Sequence, residues 1–226
     1  MTASLARGAA AELVGTALLL AVVVGSGIMG ERLAAGNMAI ALLANSFATG
    51  CGLFVLILVL APVSGAHFNP LITLGALAER ATTPAAALLF IAAQLIGAVA
   101  GVALAHAMFE LPAWGASSHV RSGIGQWLAE AVATCGLVLA IVGTRRYGVA
   151  LTAAAVGTYI AGAYWFTAST SFANPAVTIA RALTPTFAGI EAGGVAPFIA
   201  AQCAGAIAGY LLATGLRLRD DVAAGR

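Results

Sequence analysis

The chain has 226 residues, is 62% hydrophobic and 8% charged, and has a mean hydropathy of +1.02 with a formal net charge of +2. Soluble domains average about 25% charged residues, so a soluble globular fold is excluded and an integral membrane protein is implied. The small net charge says little about partners.

Six apolar segments reach the roughly 20 residues that a membrane-spanning helix needs. They are Ala9–Ile28, Met38–Leu60, Ala85–Met108, Gln126–Val142, Val149–Thr167 and Val195–Leu216. The first carries Glu12 and lacks a clear small-residue cleavage pattern, so it reads as a retained span rather than a signal peptide. Cys51, Cys135 and Cys203 fall in spans without metal-site spacing and read as small buried apolar residues. All ten cations are arginine, which points to a GC-rich bacterial genome.

Between the second and third spans, and again between the fifth and sixth, stands an Asn-Pro pair: Asn69-Pro70-Leu71 and Asn174-Pro175-Ala176. Proline suits the first turn of a helix, and an asparagine before it can cap that helix. The run Pro70 to Ala78 stops at Glu79-Arg80, and Pro175 to Leu183 stops before Pro185. Each is about ten residues, roughly 15 Å of helix, or half a bilayer. Non-helical backbone at that depth is tolerated only where protein buries it or a wet cavity meets it. Two such half-helices therefore predict a pore.

The chain repeats itself. Phe90-Ile91-Ala92-Ala93-Gln94 returns as Phe198-Ile199-Ala200-Ala201-Gln202, followed by Gly97 and Gly101 in one copy and Gly205 and Gly209 in the other. Glu12 matches Glu130, each after an alanine. The offsets are 118 (130 − 12), 105 (174 − 69) and 108 (202 − 94). One unit is three spans plus one half-helix, giving a single channel domain over 1–226 with halves of approximately 1–110 and 120–226. An odd number of spans per unit makes the repeat inverted, with the functional site at the midplane between the halves. The glycine pairs let helices approach closely.

Arginine placement sets the expected orientation. With the N-terminus inside, inner loops hold seven (Arg7, Arg80, Arg145, Arg146, Arg217, Arg219, Arg226) and outer loops two (Arg32, Arg121). Both termini are therefore expected in the cytoplasm. Two half-helices meeting end to end place partial positive charge at the midplane, and the amides of Asn69 and Asn174 supply donors to passing oxygens.

The run Ser64-Gly65-Ala66-His67-Phe68-Asn69-Pro70 with Thr73-Leu74-Gly75, and the later Asn174-Pro175-Ala176, resemble the paired signature of the aquaporin and aquaglyceroporin family. The resemblance covers essentially the whole chain. It implies an all-α membrane fold of six transmembrane helices and two re-entrant half-helices, in a homotetramer with one pore per subunit. It also implies a passive channel rather than an enzyme, in a bacterial inner membrane. Its partners are the lipid bilayer and small solutes, with no cofactor, metal or nucleic acid.

Two positions depart from the family pattern. Leu71 stands where alanine is usual, and is expected to pack mostly against the opposing half-helix. Val177 stands where water-selective members carry the arginine of their outer constriction. Family spacing places the other filter positions at Thr49, Gly162 and Ser171, so the filter is expected to be four small, uncharged side chains. The segment Asn174 to Arg181 is similar to that of bacterial members associated with arsenic resistance, whose implied cargo is arsenious acid and related metalloid or organoarsenic solutes. Water-selective and glycerol channels are the alternatives, and a secondary transporter is a remoter one.

Four further residues carry open readings. Arg181, one turn beyond Val177, either lines the outer vestibule or forms a structural ion pair with Glu191 or another outer carboxylate. Glu12 and Glu130 either relay protons or accept hydrogen bonds from the non-helical backbone leading to each half-helix. His67 either lines the inner approach to the pore or is packed.

Overall fold

The computed structural model describes residues 3–218; Arg219 and Arg226, counted in the expected orientation, lie outside them. The described residues form eight α-helices: α1 (Ala3–Leu33), α2 (Met38–Ser64), α3 (Pro70–Ala78), α4 (Pro84–Met108), α5 (Ile124–Thr144), α6 (Val149–Phe166), α7 (Pro175–Arg181) and α8 (Ala192–Gly215). All except α3 and α7 are long and apolar enough to cross a membrane. The first span is longer than its hydropathy segment at both ends. The second half-helix is shorter than expected: it ends at Arg181, where Ala182 and Leu183 close tight turns onto Ile179 and Ala180.

Packing follows the repeat. α1 packs on α4 and α2, α5 packs on α8 and α6, and α2 meets α6 across the two halves. Glycines decide how near these helices come. A Cβ on Gly97 or Gly101 of α4 would collide with the carbonyl oxygens of Leu13 and Ala17 on α1. A Cβ on Gly205 or Gly209 of α8 would meet those of Ala131 and Cys135 on α5. The struck residues are themselves 118 apart (131 − 13 and 135 − 17), the offset that separates Glu12 from Glu130. The bundle therefore repeats at the level of individual backbone contacts.

The half-helices begin where the asparagines cap them. Asn69 Oδ1 accepts from Leu71 N at 3.0 Å, and Asn174 Oδ1 accepts from Ala176 N at 3.0 Å and Val177 N at 3.3 Å. The loops before them carry left-handed backbone, with φ near +50° at Ala66, Phe68, Ser171 and Ala173. This region is uncommon for non-glycine residues. It turns successive N–H groups the same way, making a small anion-binding concavity.

A carboxylate fills each concavity. Glu12 accepts from His67 N at 2.9 Å, Phe68 N at 2.7 Å and Ser64 Oγ at 2.6 Å. Glu130 accepts from Phe172 N at 2.8 Å and Ala173 N at 2.9 Å. A glutamine completes each cradle: Gln94 Nε2 bridges Glu12 and Thr73 at 2.8 and 2.9 Å, and Gln202 Nε2 bridges Glu130 and Thr178 at 2.6 and 2.8 Å. Both carboxylates are fully buried. They are thus backbone acceptors, one of the two roles the sequence left open.

Two outcomes follow. Glu130→Gln puts an amide donor against backbone donors, so amide hydrogen exchange at Phe172 and Ala173 in detergent should accelerate, at about 1.5–3 kcal/mol per charge-assisted bond lost. Unchanged exchange there would mean the carboxylate does not hold the loop. Gly97→Val should lower the melting transition of the purified protein by overpacking the α1–α4 crossing, at a cost of about 1–3 kcal/mol. The same change at Gly162, where a Cβ meets nothing within 4 Å, should leave it nearly unmoved.

Candidate functional site: a cavity between the repeat halves

A cavity of about 370 Å³ runs between the two halves. Its middle is lined by His67, Asn69, Ala173 and Asn174, one end by Glu79, Arg145 and Thr152, and the other by Thr49, Tyr164, Ser171, Val177 and Arg181. Aliphatic side chains, among them Leu19, Ile57, Leu137 and Ile160, form most of the wall between.

At the middle the two asparagines reach across the repeat. Asn69 Nδ2 donates to Ala173 O at 2.8 Å and Asn174 Nδ2 donates to Phe68 O at 2.7 Å. Each capping asparagine thus spends one amide hydrogen holding the opposite loop and keeps a second. The left-handed residues that turn the N–H groups onto Glu12 and Glu130 leave carbonyl groups on the other side, among residues that line the cavity. His67 lines it too, with Nδ1 3.0 Å from Thr73 Oγ1 and its ring edge-on to Phe90 at 6.0 Å. It is therefore both packed and cavity-facing.

Leu71 is not a cavity residue and does not pack chiefly on the opposing half-helix. It belongs to an apolar cluster with Val138 and Val142 of α5 and Ala206 of α8. Pro70, Pro175 and Ala176 are buried behind the asparagines.

Of the four expected filter residues, three converge. Thr49, Ser171 and Val177 are 2%, 3% and 5% exposed and all line the Arg181 end of the cavity. Gly162 does not join them. It is exposed on α6 and outside the lining. The cavity face of α6 carries Val156, Ile160 and Tyr164, spaced at four residues, and Gly162 lies about 200° round the helix from Ile160. The spacing argument missed because α6 ends at Phe166 and a connection of only seven residues, Thr167 to Ala173, leads to Asn174. The residue that faces the cavity here is ten before that asparagine (174 − 164), not twelve. A tyrosine therefore replaces the expected glycine, and its hydroxyl lies 3.3 Å from Thr49 Oγ1.

Arg181 is 2% exposed and lines the same end. Its Nε donates to Ala188 O, and its guanidinium lies 3.4 Å from the centroid of the Phe172 ring. Among the described residues the ion pair found is Arg145–Glu79 at 2.6 Å, at the far end of the cavity. Glu191 instead gives its backbone N–H to His119 O at 2.8 Å. Arg181 thus balances its burial with a ring and a carbonyl rather than a carboxylate. Its neighbour Arg121, from the α4–α5 loop, donates to Gly189 O at 2.8 Å and Ser169 O at 3.3 Å, with its guanidinium 5.2 Å from the same Phe172 ring.

Sequence reasoning did not anticipate Tyr164 or the glutamine bridges. A signal for the bridges was present: Thr73 and Thr178 each stand four residues after an asparagine of the pair.

The sequence model of the family described as major intrinsic protein matches residues 1–147. The chain is 50% identical over 209 residues to the aquaglyceroporin AqpS of Rhizobium meliloti (strain 1021), covering 92% of this chain and 89% of that one. It is 38% identical over 144 residues to the probable aquaporin PIP2-8 of Oryza sativa subsp. japonica, covering 62% of this chain and 49% of that one. Its fold is similar to the X-ray structure of the aquaglyceroporin from Plasmodium falciparum, with a TM-score of 0.71 at 20% identity, covering 92% of this chain and 95% of that one. Paired capping asparagines, repeated carboxylate cradles and these likenesses agree: the chain belongs to the major intrinsic protein family, multi-pass membrane channels of the aquaporin fold.

Proposed function

We propose that the cavity is the conduction path of a passive channel for small uncharged solutes: water, polyols and neutral metalloid acids such as arsenious acid, with organoarsenic solutes at the upper end of size. The observation that carries this reading is the pair of amides, Asn69 and Asn174, at the middle of a cavity whose wall is mostly aliphatic. An apolar wall offers no partners to a solute. The amide hydrogens and loop carbonyls replace its lost water contacts at one depth, so a molecule is desolvated only where replacements stand. The AqpS relative is named an aquaglyceroporin, which favours a path that admits more than water.

Val177 supports the same choice. At one turn beyond Asn174 it offers no hydrogen bond and no charge, while Thr49 and Ser171 beside it are small. Arg181 takes up a position one turn further along, in the outer vestibule of this reading, drawn to the Phe172 ring. Both termini lie in the cytoplasm of a bacterial inner membrane, and the subunit assembles as a homotetramer with one path each.

A coupled transporter is less favoured. The span carboxylates Glu12 and Glu130 do not line the cavity, and all their oxygens accept from the chain's own donors. Solute uptake that collapsed with an uncoupler while the solute gradient persisted would replace the channel reading with that one.

Stopped-flow light scattering of proteoliposomes with water, glycerol and arsenious acid tests the path. Val177→Arg should cut glycerol and arsenious acid flux about tenfold, equivalent to about 1.4 kcal/mol of barrier, and leave water flux within about twofold. Equal flux of all three in both proteins would remove Val177 from the constriction.

A further inference from the structure

The Arg181 end of the cavity carries a guanidinium and three hydroxyls and, among the described residues, no carboxylate in its lining. The Tyr164 hydroxyl lies 3.3 Å from Thr49 Oγ1, and either oxygen can donate to the other. When the phenol donates, Thr49 is the acceptor. Thr49 keeps its own hydroxyl hydrogen, which has no hydrogen bond to its helix. Ser171, 3% exposed and lining the same end, has a buried hydroxyl without a hydrogen-bond partner. Arg181 spends Nε on Ala188 O and lines the cavity at this end. Three kinds of donor therefore converge from α2, the loop before α7, and α7 itself.

The charge at this end is positive. No carboxylate lines it; Glu79, the acidic residue of the lining, pairs with Arg145 at the other end. Glu130 is occupied by the backbone of Phe172 and Ala173 and by Gln202. Arg121, beside the same phenylalanine ring, adds a second guanidinium whose Nε, Nη1 and Nη2 are already donated to Gly189, Ser169, Thr170 and Phe187. A neutral polyol needs both donors and acceptors. A carboxylate or singly ionised oxo-acid needs donors and one positive charge, and that is what stands here.

We propose that Thr49, Ser171 and Arg181 form a binding station for small, singly charged oxo-acid anions, with the Tyr164 hydroxyl held against the first. The proposal rests on the channel reading of the cavity and adds an anionic ligand class to it. Occupied by an anion, the station obstructs the path of neutral solutes.

Formate is the probe. Full-length protein in liposomes, equilibrated with sodium formate on both sides, is compared with sodium chloride at equal ionic strength, with glycerol and water flux as readouts. Formate should inhibit both fluxes saturably in the native protein and chloride should not. Arg181→Gln should abolish the inhibition. Thr49→Val and Ser171→Ala, which remove only a hydroxyl each, should weaken it up to about tenfold, the loss of one hydrogen bond to a charged group; these two decide the matter if Arg181→Gln fails to insert. Glycerol and water flux above empty liposomes but indifferent to formate overturns the station and leaves the channel standing. Inhibition that chloride reproduces, or that survives unchanged in all the folded variants, also overturns it. Native flux no greater than that of empty liposomes overturns the channel reading, and the station with it.

Discussion

At bilayer depth a backbone N–H has no water to turn to, and two loops of this chain carry such groups there. Glu12 and Glu130 resolve that problem. Each carboxylate sits in a concavity made by two successive N–H groups and takes both bonds. An ionised acceptor forms shorter, stronger bonds than a neutral one, so a costly buried charge and costly buried donors offset each other. Without that exchange the strained backbone at Phe68 and Ala173 would have no reason to persist. The asparagines could then neither cap the half-helices nor bond the opposite loop. The usual inference that an ionisable residue inside a span takes part in transport is therefore redirected here. These two residues build the path from behind and do not touch it.

Close helix packing is the second condition. Each glutamate stands on a helix, α1 or α5, that must lie near enough to the loop to reach it. Gly97 and Gly101, with Gly205 and Gly209, let the neighbouring helices approach to carbonyl contact. Without a hydrophobic drive between helices in lipid, such small-residue contacts carry much of the association. The glutamines that bridge glutamate and threonine leave from the same helices as these glycines, so packing and polar cradle are parts of one repeated unit.

The repeat is also where function separates from scaffold. The offset of 105 maps Val177 onto Ile72, Ser171 onto Ala66 and Arg181 onto Ala76 (181 − 105 = 76), and all six line the cavity. The cradles are nearly identical in the two halves, whereas these cavity positions are aliphatic in one and partly polar or cationic in the other. A symmetric scaffold thus holds an asymmetric path. The halves differ at Ser171 and Arg181, joined at that end of the cavity by Thr49 and Tyr164 from the long helices.

Much of this was legible in the chain itself. Hydropathy marks six spans because lipid leaves little choice of composition, and Asn-Pro marks two helix starts because a capping amide and a ring without an N–H suit no other place there so well. Matched Glu, Gln and Gly positions reveal the repeat, and the inversion follows from an odd number of spans. These are local or periodic signals, and the backbone obeys them without reference to distant residues. What the chain does not announce is which side chains meet across the cavity. Gly162 and Tyr164 differ by two positions on one helix, and which of them faces inward depends on the length of the connection and the rotation of α6 against α2. Leu71 could face either half-helix or bundle until α5 and α8 are in place. Arg181 could seek a carboxylate or a ring; only the fold puts Phe172 and the Ala188 carbonyl around it. The channel scaffold was determined by the sequence, because hydrogen-bond satisfaction in lipid admits few solutions. The chemistry of its constriction was decided by the tertiary structure, because helix rotation and loop length turn on contacts between residues far apart in the chain.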